Sequence, residues 1–165
     1  MDLLMPCLYA FLGGLAFCVI FEMHTGWFLL SASLNSAAGW LVYLLLNGYS
    51  SVFRYMVATI VVATLAEVFA RIFKAPATIF LIIGILPLVP GGGMYYTMKA
   101  LIDEDMQTFV SNGMETAIAA VSIAIGCSLV SSMARILTLK RRHYQEAHRR
   151  KKALLAAQKR EETKS

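Results

Sequence analysis

Long apolar runs separated by short polar punctuation dominate this chain, and the spacing of that punctuation predicts five membrane-spanning helices. A spanning helix needs about 20 predominantly apolar residues. The first run extends from about Leu3 to Phe21 and stops at Glu22-Met23-His24-Thr25-Gly26. The second runs from about Trp27 to Leu46 and stops at Asn47-Gly48-Tyr49-Ser50. The third covers about Val52 to Phe73, the fourth about Ala75 to Leu101, and the fifth about Asn112 to Leu137. After the fifth, strong helix formers without Gly or Pro continue the helical pattern into the carboxy-terminal tail.

The fourth run is broken at its centre. Pro87 cannot donate to the carbonyl of Ile83, nor Pro90 to that of Leu86. Ala75 to Val89 would span roughly 22 Å at 1.5 Å per residue, short of a hydrocarbon core of about 30 Å. The two halves therefore make one broken span or a re-entrant pair; the broken span gives five crossings and a consistent charge asymmetry. An unpaired backbone group costs several kcal/mol in lipid, so such a break belongs where protein or a water-filled cavity covers it. The expected fold is thus all-α, an integral membrane bundle of about five helices with the fourth interrupted between Pro87 and Gly93.

Composition agrees: 58% of the residues are hydrophobic and 15% charged, and the mean hydropathy is +0.64. Charge then sets the orientation. The net charge of +5 is a property of the tail, because ten of the 15 basic residues fall in positions 140–165. With five spans, this tail shares one side with Arg71 and Lys74, and the positive-inside rule places that side in the cytoplasm. Residues 1–139 then form a transmembrane domain and residues 140–165 a basic cytoplasmic helical tail. The tail either rests on anionic headgroups or is simply solvated, and without interleaved aromatics it gives no reason to expect nucleic acid as a partner. Cys7, Cys18 and Cys127 sit in apolar runs and read as packed thiols. The amino terminus lacks the basic region of a signal peptide, so the first run is expected to remain in the mature protein.

Candidate chemistry gathers at the break. A restarting helix presents unpaired amides, here around Gly92 to Tyr95, and attracts a carboxylate. Gly91, Gly92 and Gly93 let a ligand approach the main chain and permit positive φ. Tyr95 and Tyr96 offer hydroxyls to a polar substrate or serve as interfacial anchors. Pro87, Pro90, Gly91, Gly92, Gly93, Tyr95 and Tyr96 are the candidate substrate-binding residues. The alternative is a kink that only packs against a neighbour.

Glu67 and Arg71 are four apart on one helical face. They are the candidate ion-coupling pair, or else a structural ion pair near the cytoplasmic end. Asn35 with Ser31, Ser33 and Ser36 reads as interhelical glue, or as a pore lining. Ala120, Ala124, Ser128 and Ser132 form a small-residue ridge suited to packing or subunit association. Glu115, near the expected start of the fifth helix, reads as a dipole-compensating residue. No metal-ligand spacing, nucleotide-binding motif or catalytic constellation appears, so neither an enzyme nor a cofactor is expected, and energy should come from an ion gradient.

Pro-Leu-Val-Pro-Gly followed by an aromatic, preceded by Ala66-Glu67, Ala70-Arg71 and Lys74-Ala75-Pro76-Ala77, resembles the threonine/serine exporter (ThrE) family in its short, separate-subunit form. The resemblance covers residues 5–138, with matching positions at Glu67, Arg71, Pro76, Pro87, Pro90, Gly91 and Tyr95 or Tyr96. The glycine triplet and the long basic tail depart from the family pattern. The resemblance implies the small subunit of a secondary transporter in the cell membrane. Such a subunit would export threonine and serine, or a dicarboxylate such as succinate, together with a larger ThrE-type subunit. A non-transporting membrane scaffold or assembly subunit is the alternative.

Overall fold

The computed structural model describes the backbone of residues 4–22 and 26–162, and the side chains of residues 4–22 and 26–136. Among the described residues there is no strand; six α-helices follow one another. They are α1 (Leu4–Ile20), α2 (Gly26–Leu45), α3 (Ser51–Phe73), α4 (Ala77–Ile85), α5 (Gly91–Ile102) and α6 (Met106–Glu162), with a 3-10 turn over Leu86–Leu88 between α4 and α5. The chain divides into two compact units. Met1–Val130 holds α1 to α5 and the first part of α6, and Ser131–Ser165 contains the rest of that helix. The basic side chains expected on the tail lie outside the described side chains.

Helices α2 and α3 and the segment Met106–Ile136 of α6 are each long and apolar enough to cross a bilayer. Residues Ala77–Leu88 and Gly91–Ile102 pass the same test together but are bent by 48° at the break. Helix α1, with 17 residues, is a shorter apolar helix, about 25 Å long at 1.5 Å per residue. The protein is therefore a helical membrane bundle, with three or four candidate spans beside the shorter α1.

Three turns end helices in the left-handed conformation without glycine, at Glu22, Lys74 and Glu104. After α3, the amides of Lys74 and Ala75 both return to the carbonyl of Ala70. After α5, Glu104 donates to Leu101 and Asp105 to Ala100, the paired bonds of a Schellman cap. Asp105 then starts α6: its carboxylate accepts from the amide and hydroxyl of Thr108, and its carbonyl accepts from Phe109. The fifth run accordingly becomes helical at Met106, earlier than the expected Asn112, because Asp105 is an N-cap that the acidic cluster Asp103-Glu104-Asp105 concealed.

The core uses small residues and close backbones, as expected where lipid supplies no hydrophobic drive between helices. A Cβ on Gly39 would meet Val62, and one on Gly84 would lie 2.5 Å from Asn35 Nδ2 and 2.6 Å from Val62 Cγ1, so α2, α3 and α4 cross with nothing to spare. Asn35 is fully buried and donates to the carbonyl of Phe80, and Ser36 donates to that of Ala10. This is the interhelical glue reading; neither residue lines a cavity described below. Phe80, also fully buried, stacks on Phe28 at 4.7 Å and meets Phe69 and Phe73 at about 6 Å. On α6, Ala119, Ser122 and Gly126 are buried, and a Cβ at Gly126 would lie 3.0 Å from Thr59 Cβ of α3. The ridge Ala120, Ala124, Ser128 and Ser132 points outward instead.

Candidate functional site

Pro87 leaves the Ile83 carbonyl without its usual i+4 donor, as the chain chemistry dictates. The Leu86 carbonyl is not orphaned as expected. Val89 swings its amide to Leu86 at 3.3 Å while also reaching Ile85 at 3.2 Å, and this bifurcated bond forms the 3-10 turn. Pro90 is then the N-cap of α5, and the Gly91 amide folds back on Val89 at 2.7 Å.

The glycines lie inside α5, and none of the three has positive φ; that expected use of the triplet is overturned. Nor do the free donors extend to Tyr95. Met94 donates to Pro90, and Tyr95 is already one full turn inside α5. The amides of Gly92 and Gly93 are the two left unpaired, as the geometry of a helix start requires. Nothing lies within 4 Å of where a Cβ on Gly91 or Gly92 would sit, whereas one on Gly93 would strike Thr116 of α6. Gly93 therefore sets the approach of α5 to α6, and Gly92 leaves the helix start open.

That start opens on a cavity of about 490 Å³. Its lining includes Pro87, Pro90, Gly92, Gly93 and Tyr96 among the expected site residues, joined by Trp40 and Tyr43 of α2, Ser51 and Tyr55 of α3, and Asn112, Glu115 and Thr116 of α6. Gly91 and Tyr95 lie outside the lining; Tyr95 packs edge-on against Tyr96 at 5.4 Å.

One wall is aromatic. Trp40 stacks on Tyr43 at 5.2 Å, Tyr43 meets Tyr55 ring to ring at 4.7 Å, and the Tyr43 hydroxyl donates to that of Tyr55 at 3.4 Å. Arg54 caps this wall, 4.1 Å above the Tyr43 ring, with two nitrogens donating to the Tyr43 carbonyl at 3.3 Å. The indole N–H of Trp40 is buried without a partner. Trp40 and Pro87 also line a second cavity of about 360 Å³ on the α1 side, with Pro6, Tyr9, Gly13 and Phe17, so these two residues partition the space around the break.

Glu67 and Arg71 form an ion pair at 3.5 Å, with Arg71 half exposed and Glu67 partly so, and neither lines the cavity. Glu115 does line it. Because α6 begins at Met106, Glu115 lies nine residues in and cannot compensate the helix dipole; that reading is overturned. Its place in the cavity depended on the hidden cap at Asp105, and the apolar spacing of the fifth run carried no sign of it. Tyr43 and Tyr55 were equally silent, being aromatic residues in apolar runs.

A helix broken at paired prolines, opening unpaired amides onto a polar cavity inside an apolar bundle, is the architecture of a membrane transport protein. The chain belongs to the threonine/serine exporter (ThrE) family, whose model matches residues 6–133. No curated protein and no solved structure matches the chain. It is a membrane protein of threonine/serine-exporter type, and the family is one of transporters, not of enzymes.

Proposed function

We propose that this chain is the small subunit of a secondary transporter that exports small amino acids such as threonine and serine across the cytoplasmic membrane. The observation that carries the reading is the polar cavity at the start of α5, where the Gly92 and Gly93 amides are donors without partners. Two such donors suit a substrate carboxylate, and Tyr96, Tyr55 and Thr116 suit the hydroxyl of serine or threonine. Pro87 and Pro90 hold the break open, and Gly91 with Tyr95 supports the restarting helix behind the lining. The Glu67–Arg71 pair, 3.5 Å apart and partly hydrated, is the candidate for ion coupling.

A larger ThrE-type subunit completes the pathway. The outward ridge Ala120, Ala124, Ser128 and Ser132 supports such an assembly, because small residues let a partner helix approach closely. The bundle crosses the membrane several times, with the basic carboxyl terminus in the cytoplasm.

The test is Gly92→Pro. Proline deletes the amide donor, and the first turn of a helix tolerates it. In proteoliposomes containing both subunits, serine and threonine transport should fall at least tenfold while the complex still assembles, and Gly92→Ala should transport normally. Unchanged transport by the proline variant, or none by the native pair, defeats the proposal.

A further inference from the structure

We propose that Glu115 receives the substrate's ammonium group and so makes the site select amino acids over dicarboxylates; this rests on the reading just given. Nine residues into α6, Glu115 lies about 13 Å along the axis from the helix start, within the Met106–Ile136 span. A carboxylate on the wall of a cavity in an apolar bundle, exposed and not packed away, marks a substrate or ion path unless something neutralises it. Among the described residues, no cation pairs with Glu115 and no donor is bonded to it; the only ion pair there is Glu67 with Arg71.

The groups facing it from neighbouring elements are neutral. Helix α2 contributes Trp40 and Tyr43, α3 contributes Ser51 and Tyr55, and α5 contributes Tyr96 and the two glycine amides. Arg54, which caps the aromatic wall, is occupied by the carbonyl and ring of Tyr43. On its own helix, the Thr116 hydroxyl donates its proton to the carbonyl of Asn112, so it is left to accept and not to donate to Glu115. The cavity therefore combines unpaired N–H donors with a single unbalanced carboxylate.

An α-amino acid complements both halves, its carboxylate at the amides and its ammonium at Glu115. A dicarboxylate satisfies the donors but sets its second negative charge against Glu115, and a hydroxy acid leaves Glu115 with no counter-charge. The cavity thus decides between the two substrate classes that the resemblance left open.

The experiment compares serine with glycerate, which carries a hydroxyl where serine carries the ammonium, and with succinate, in proteoliposomes of the two-subunit complex. The native complex should show a KM for serine at least tenfold below that for glycerate or succinate. Glu115→Gln should raise the serine KM at least tenfold, leave the maximal rate within about twofold, and leave the glycerate and succinate KM unchanged or lower. Glu115→Asp should restore part of the serine preference, and it reports on the site even if the glutamine variant fails to assemble. Glu104→Gln, in the loop before α6, controls for a general change of charge. A serine preference that survives both Glu115 variants overturns the inference while leaving the transporter reading intact. A native complex that moves none of the three compounds defeats both.

Discussion

A methyl group added at Gly93 would strike the Thr116 side chain, whereas one added at Gly92 would meet nothing within 4 Å. Two adjacent glycines thus serve different ends. Gly93→Ala must push α5 from α6 or distort Thr116, and overpacking of this kind costs about 1–3 kcal/mol. Thermal unfolding in detergent should show Gly93→Ala as clearly destabilised, and Gly93→Ala combined with Thr116→Ala should recover most of the loss. In the double variant only the Cβ of residue 116 remains, 3.4 Å away. Gly92→Ala should be neutral or slightly stabilising, because alanine favours the helix by up to about 1 kcal/mol.

Among the elements, the turn between α5 and α6 shows what the sequence could and could not disclose. The apolar lengths of the runs and the proline pair made the all-helical bundle and its broken fourth segment readable, since both follow from backbone chemistry local to the chain. The start of α6 was not readable, because Met106-Gln107-Thr108 looks like the end of a loop until Thr108 is seen to donate to Asp105. With that start misplaced, Glu115 seemed to stand at a helix end rather than in a cavity. The rest of the site was hidden for a different reason: Trp40, Tyr43 and Tyr55 come together only through helix crossings set by contacts such as Gly39 against Val62, which no spacing rule encodes.

The same turn carries a pH dependence. Donors from Thr108 hold the Asp105 carboxyl below its ordinary range. The folded value is depressed, so the cap is at full strength above the unfolded value near 4 and is lost as pH falls through the folded value. Hydrogen exchange at the Thr108 amide should be faster in Asp105→Ala than in the native chain at about pH 7. The opening equilibria should converge as both are compared at progressively lower pH, below the ordinary carboxylate range.

For the whole molecule, the number of crossings decides which loops share a side. If the carboxyl terminus is inside as proposed, α1 spans and α4 with α5 forms one broken span, then the 47–50 and 103–105 loops lie outside, and Lys74 lies inside with the carboxyl terminus. In a background with Cys7, Cys18 and Cys127 replaced, single cysteines at Asn47 and Glu104 should react with an impermeant thiol reagent added outside intact cells. One at Lys74 should react only after permeabilisation. If the residue 104 cysteine instead behaves like the one at 74, α4 and α5 form a re-entrant pair, and the break reaches the site from one face only.

The open helix start at Gly92 has a consequence for how such a site can drift. Side-chain receptors are lost by almost any replacement, but a main-chain N–H is carried by every residue except proline. On the proposed reading, a lineage can therefore exchange Trp40, Tyr96 or Glu115, and with them the cargo it favours, while the two amides that would hold a carboxylate persist unselected and almost indelible.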